Sequence, residues 1–107
     1  MQQLADETSL DAAFAEPLFL LLKHSPVCPI SNSVRLEVET FVADHPEVHV
    51  GMVDVIAGRL ISQAVATRTG IQHESPQALL LKDGQVAWHA NHWRITAARL
   101  TDAFASV

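Results

Sequence analysis

The only cysteine of the chain, Cys28, lies in a segment whose residue types could carry thiol chemistry. A polar turn, His-Ser-Pro, begins at His24, and Pro29 directly follows the cysteine. Unpaired backbone N–H groups and the helix dipole favour a thiolate where a helix begins. Because one thiol cannot close a disulfide on itself, any redox partner sulfur must come from another molecule. Cys28 is therefore the candidate nucleophile.

Two other interpretations of this segment stay open. A lone cysteine is often a small buried hydrophobe, although a polar loop before Cys28 and a helix start after it fit that poorly. Ser31 stands three residues after Cys28, where a dithiol redox protein has its second cysteine. Ser31 could instead satisfy backbone groups of the first turn, and the two roles are compatible. A Cys-x-x-Ser site could attack a disulfide but could not resolve the product internally.

The elements around Cys28 are a strand before it and a helix after it. Residues 18–22 form a short, uniformly apolar run, which predicts a central strand buried on both faces, with a short buried helix as the alternative. Apolar residues recur at helical spacing from Pro29 to Asp44, and Pro29 suits the first turn, so Cys28 is expected at or beside the N-cap. His45 and Pro46 mark the end of this helix.

The rest of the chain completes an α/β pattern. Further predictions are a helix over residues 8–15 capped by Thr8 or Ser9, a strand over 47–55, a helix over 58–69 closed by Gly70, a hairpin of 77–81 and 86–89 turning at Asp83-Gly84, and a helix over 95–105. This order is that of the thioredoxin-like fold. It predicts one domain over residues 1–107, with a central four-stranded mixed sheet flanked by helices and an extra N-terminal helix.

Ser75 and Pro76 come directly before the predicted third strand. In thioredoxin-like folds a cis X-Pro bond at this place brings a backbone edge beside the active-site cysteine, which predicts a cis Ser75-Pro76 bond. The alternative is a trans proline that only begins a strand, as most X-Pro bonds are trans.

Composition excludes several classes of protein. The net charge of −5 and the lack of a Lys/Arg cluster disfavour nucleic acid as a partner. The longest apolar run is far short of the roughly 20 residues that span a membrane. The first residues lack the basic and apolar parts of a secretory leader. We expect a soluble, cytoplasmic protein with no membrane partner.

The six histidines suggest a metal site, but their spacing matches no zinc pattern and only one thiol is available. No metal is expected. His24 and His73 could tune the Cys28 thiolate if the fold brings them near it, although solvated surface histidines are the more common case.

Together these motifs resemble a known family, the monothiol bacilliredoxins of the YtxJ type. The most specific part is Cys-Pro-Ile-Ser from Cys28 to Ser31 paired with His-Glu-Ser-Pro-Gln from His73 to Gln77. The remaining matches are residues 19–25, Gly70-Ile71, Lys82-Asp83-Gly84, Trp88-His89, His92-Trp93 and Ile95-Thr96. One departure is Val27, where the family usually has a threonine, which removes a hydroxyl near the thiolate.

The resemblance implies that Cys28 attacks the mixed disulfide of a bacillithiolated client protein and carries bacillithiol until a second thiol removes it. Pro29, Ser31, Ser75 and Pro76 would contact the thiol or the substrate. No bound cofactor is implied, since bacillithiol is a co-substrate. Two alternatives are an iron-sulfur carrier or sensor of the monothiol-glutaredoxin type and a non-catalytic thioredoxin-like interaction module.

Overall fold

The computed structural model describes residues 1–107, which form a five-stranded mixed sheet with helices on both faces. The strands lie in the order β1-β3-β2-β4-β5. The elements are β1 Gln2–Gln3, α1 Glu7–Ala15, β2 Leu18–His24, α2 Pro29–Asp44, β3 His49–Asp54, α3 Arg59–Thr69, β4 Gln77–Lys82, β5 Gln85–Asn91, a 3-10 turn His92–Arg94 and α4 Ala97–Ala105.

Strand β2 occupies the centre of the sheet, as its unbroken apolar sequence predicts. It pairs in parallel with β3 and antiparallel with β4. Leu20 and Leu22 pack into a core with α2 and α4, whereas Phe19 and Leu21 pack into a second core with α1 and α3. Alternate side chains of β2 therefore face two buried layers, which a strand with both faces covered requires.

The thioredoxin-like fold is confirmed, but the sheet has five strands and not the four that the sequence predicts. The fifth strand, β1, is only two residues long, and it pairs in parallel with β3 at Gly51 and Met52. Both of its residues are exposed glutamines, and their backbone groups, not their side chains, hold them to the sheet. No apolar alternation could indicate such a strand.

Two helix starts also differ from the predictions. Helix α1 is capped by Asp6, whose carboxylate accepts the Ser9 N–H at 2.8 Å, and Ser9 returns a hydrogen bond in a capping box. The cap is thus neither Thr8 nor Ser9. Helix α4 begins at Ala97 with Thr96 as its N-cap, because a 3-10 turn occupies the preceding residues.

The predicted turn chemistry is present at both of its positions. Gly70 ends α3 in the left-handed region with φ of 72°, and Asp83 and Gly84 have φ of 51° and 80° between β4 and β5. Positive φ at both turn residues is what the type I′ turn of a two-residue hairpin requires. No helix in the structure is long and apolar enough to cross a membrane.

The sheet brings the two parts of the candidate site to one end. Cys28 follows the carboxyl end of β2, and Pro76 precedes the amino end of β4. Since these strands are antiparallel and Lys23 pairs with Gln77, both segments leave the sheet at the same edge.

Candidate active site

Cys28 is the N-cap residue of α2, and Pro29 is at the first helical position. The Cys28 N–H donates to Ser25 O at 3.2 Å, and the Asn32 N–H donates to Cys28 O at 3.2 Å. The turn that precedes the helix and the first helical bond thereby fix the backbone on both sides of the sulfur. Proline suits this position, because the first helical N–H has no intrahelical partner.

The helix start lowers the pKa of the Cys28 thiol, as the sequence predicts. The main cause is hydrogen bonding from the Ser31 backbone N–H, which burial partly opposes, and the Ile30 N–H and the Ser31 hydroxyl reinforce it. All three lowering contacts come from the first turn of α2. Cys28 is only partly buried, so the thiolate that they favour is within reach of another molecule.

Ser31 is fully buried and connects the helix to the turn before it. Its Oγ accepts the Ser25 N–H at 3.2 Å, and its hydroxyl also helps to lower the pKa of Cys28. The Ser31 hydroxyl therefore has both of the roles considered for it: it satisfies a backbone group and it acts on the thiolate.

Replacing Ser31 with alanine is expected to slow alkylation of Cys28 about threefold at pH 7. The hydroxyl contributes only part of the stabilisation, so its loss raises the pKa of Cys28 while the two backbone N–H donors remain. Pulsed alkylation from pH 5 to 10 measures this effect, with the exposed Ser33→Ala as the control. Profiles that coincide for Ser31→Ala and the wild type would show that the hydroxyl does not act on the sulfur.

Pro76 is buried, and the Ser75-Pro76 peptide bond is cis, in agreement with the prediction. The Pro76 carbonyl accepts the His92 N–H at 3.0 Å, which links the segment to the turn after β5. The Ser75 hydroxyl is buried and has no hydrogen-bond partner. Gln77 Nε2 donates to Gln72 O at 3.0 Å, so the loop between these residues is also fixed at its base.

His24 is buried at the end of β2, below the first turn of α2. Burial is the main cause that lowers its pKa, and the positive charge of Arg35 adds to it, while Asp54 and a backbone contact with Ser31 act in the other direction. Its Nδ1 has no hydrogen-bond partner. His24 therefore contacts the residue that contacts the sulfur, and its role in tuning the thiolate stays a prediction.

His73 contacts Lys23, a residue that belongs to no motif of the sequence. Lys23 Nζ lies 3.0 Å from His73 Nδ1, and Ser62 Oγ lies 3.2 Å from the same nitrogen. Lys23 is fully buried, which lowers its pKa to about 8, and it forms no salt bridge. The one signal for its burial in the sequence was the alternation along β2, because Lys23 faces the same side of the sheet as Phe19 and Leu21.

Solved structures show which fold this chain shares. A protein described as an oxidoreductase candidate with a thioredoxin fold aligns with a TM-score of 0.91 at 26% identity, over 96% of this chain and 92% of that one. Mitochondrial thioredoxin 3 of Saccharomyces cerevisiae aligns at 0.80 and 14% identity, over 100% and 95%. Fasciola hepatica thioredoxin aligns at 0.78 and 17% identity, over 99% and 98%. The fold is that of the thioredoxins.

The family follows from the sequence. The family described as monothiol bacilliredoxin BrxC matches residues 1–100. The chain belongs to this family, which confirms the resemblance found from its motifs. It is a thioredoxin-like thiol-redox protein.

Proposed function

We propose that this protein removes bacillithiol from protein mixed disulfides, with Cys28 as the nucleophile. The observation that carries the proposal is a single, accessible sulfur whose pKa is lowered by the first turn of α2, in a chain with no second cysteine. Such a sulfur can exchange with a disulfide brought by another molecule but cannot form one within the chain. Membership of the monothiol bacilliredoxin family supports bacillithiol as the small thiol.

The proposed exchange conserves disulfide bonds. The Cys28 thiolate attacks the bacillithiol sulfur of the mixed disulfide, a Cys28–bacillithiol disulfide forms, and the bond to the client breaks. The client leaves as a thiolate and takes a proton from water. A second molecule of thiol, as thiolate, then attacks the bacillithiol sulfur on Cys28, which regenerates the Cys28 thiolate and releases a small-molecule disulfide. Both steps are thiol-disulfide exchanges that pass through one covalent adduct.

Other side chains of the site have supporting roles in this proposal. Pro29 begins the helix that stabilises the thiolate, and the Ser31 hydroxyl donates towards the sulfur. Ser75 and Pro76 present backbone to the incoming disulfide from the edge that they share with Cys28. His24 is proposed to tune the thiolate through its contact with Ser31, whereas His73 contacts Lys23 and Ser62, which do not act on the sulfur.

The reaction requires no bound cofactor, because bacillithiol enters as a co-substrate. Its protein partners are bacillithiolated clients, and its proposed place of action is the cytoplasm, where such thiols stay reduced. The alternatives of an iron-sulfur carrier and of a non-catalytic module give different results in the same experiment.

Intact-mass analysis tests the proposal directly. Reduced protein is mixed with one equivalent of a bacillithiolated client, the reaction is stopped with acid, and both chains are weighed. We expect the client to lose the mass of bacillithiol and this chain to gain it, with the adduct mapped to Cys28. A client that keeps its bacillithiol would overturn the proposal, and an unmodified chain would support one of the alternatives.

A further inference from the structure

A cleft of about 300 Å³ opens beside α3, and we call it the α3 cleft. Its lining residues are Val55, Arg59, Ser62, Gln63 and His73. One of these side chains carries a permanent positive charge, three others can also donate hydrogen bonds, and none is acidic. The cleft thus has the donors that an anionic group requires.

The α3 cleft lies at the end of the sheet from which Cys28 emerges. The Val55 N–H donates to His24 O at 3.0 Å, and His24 is four residues before Cys28. On the other side, His73 is three residues before Pro76 in the loop that enters β4. The cleft therefore lies beside the ends of β2 and β4 that lead to the two segments of the candidate active site. In open α/β sheets, ligands bind at such an end of the strands.

The contacts of His73 determine its tautomer, that is, which ring nitrogen carries the hydrogen. A lysine ammonium has only donors, so Lys23 donates to His73 Nδ1, and the Ser62 hydroxyl can donate to the same atom. The neutral imidazole must then carry its hydrogen on Nε2. His73 is exposed, and its Nε2–H is free to donate to a ligand.

Lys23 adds a positive charge that no side chain of this protein neutralises. It is fully buried and pairs with no carboxylate, although buried charges in proteins are normally paired. Two acidic residues are next in sequence to residues of the cleft. Asp54 accepts the backbone N–H groups of Ile56 and Ala57, and Glu74 lies 3.7 Å from His92 and acts on His73 through its charge, but neither pairs with Lys23. With a pKa of about 8, Lys23 is mostly charged at neutral pH.

We infer that the α3 cleft binds a carboxylate of the small thiol that Cys28 accepts, through Arg59 and His73 Nε2–H. This assignment rests on the proposed function and adds the means by which the thiol is recognised. Lys23 acts as a positioning residue, because it fixes the tautomer of His73 and increases the positive potential behind it. Because the cleft is assigned to the small thiol and not to the client, we expect one cleft to serve many clients.

The test compares two substrates that differ in whether the carboxylates of bacillithiol are charged or esterified. One client carries bacillithiol, and the other carries bacillithiol whose carboxylates are methyl esters. We expect the wild type to have a kcat/KM about tenfold higher for the acid than for the ester, mostly through KM, since a charge-assisted contact is lost. Arg59→Gln should reduce this ratio to near one, and Arg99→Gln, which removes the same charge from α4, should leave it unchanged.

A second measurement does not depend on turnover. Cys28 is loaded with bacillithiol in one sample and with 2-mercaptoethanol in another, and His73 is titrated by NMR. The pKa of His73 should be higher in the bacillithiol-loaded protein, because a bound carboxylate favours the charged ring.

The outcomes separate the two proposals. Equal rates on both substrates, or equal His73 titrations in both loaded samples, would overturn the carboxylate site while the proposed function stands. Release from neither substrate would overturn the proposed function, and the site with it. A preference for the acid that persists in Arg59→Gln would also overturn the assignment of the cleft.

Discussion

In the Cys28→Ser variant, the rate of bacillithiol release from a client is expected to fall by about a thousandfold or more. It should then equal the rate without protein. A serine hydroxyl is not ionised at neutral pH and cannot form a disulfide, so no covalent adduct can replace that of Cys28. The chain contains no other thiol that could take over the reaction. The loss should be in kcat, measured as the initial rate of client thiol release with a saturating client concentration.

The control for this variant is Ser33→Ala, an exposed change in the same helix, which should retain the wild-type rate. Circular dichroism shows whether both variants are folded. A Cys28→Ser protein that releases bacillithiol at the wild-type rate would contradict thiol exchange altogether. One that retains its client partners and its biological effect would favour the non-catalytic interaction module.

The Ser31→Cys variant is expected to release the adduct that the wild type retains. With one cysteine, the wild type should stay loaded with bacillithiol when no second thiol is present. A thiol at position 31 lies one helical turn from Cys28, at a spacing that allows a disulfide, and the present serine already contacts Cys28. Intramolecular attack is favoured by proximity, so the loaded fraction should fall from nearly all chains to about a tenth or fewer.

The matched control adds a thiol at a position from which it cannot reach Cys28. In Ser33→Cys the new sulfur lies on the same helix but about 140° around its axis from Cys28, so its adduct should persist as in the wild type. Intact mass after exposure to a bacillithiolated client distinguishes the variants. In Ser31→Cys the expected product is a chain two mass units lighter than the reduced form. An adduct equally stable in both variants would contradict the placement of Ser31 beside the sulfur.

Local chemistry explains why the centre of the candidate site could be predicted from the sequence. Helix α2 has its predicted bounds, because a proline, a run of apolar residues at helical spacing and the His45-Pro46 pair act within a few residues. The turn at Asp83-Gly84 was predictable for the same reason. Each depends on conformational preferences of single residues, and the fold confirms them.

Other features depend on contacts between distant parts of the chain. The contact of Lys23 with His73 joins residues 50 apart, and Lys23 alone looks like an ordinary charged end of a strand. Strand β1 pairs with β3 through backbone groups only, and next to it the Leu4 N–H donates to Met52 O at 2.9 Å. Neither feature has a periodic pattern. The α3 cleft was likewise not predictable, since α3 and the His73 loop form it only once the sheet has assembled.

The most direct measurement is the pH dependence of Cys28 alkylation in the wild type, which needs no substrate and reports one sulfur because the chain has only one. If the first turn of α2 stabilises the thiolate, the rate should rise with an apparent pKa below the value of about 8.5 for a free cysteine. A midpoint at or above that value, or a sulfur that does not react until the protein unfolds, would contradict an activated and accessible Cys28.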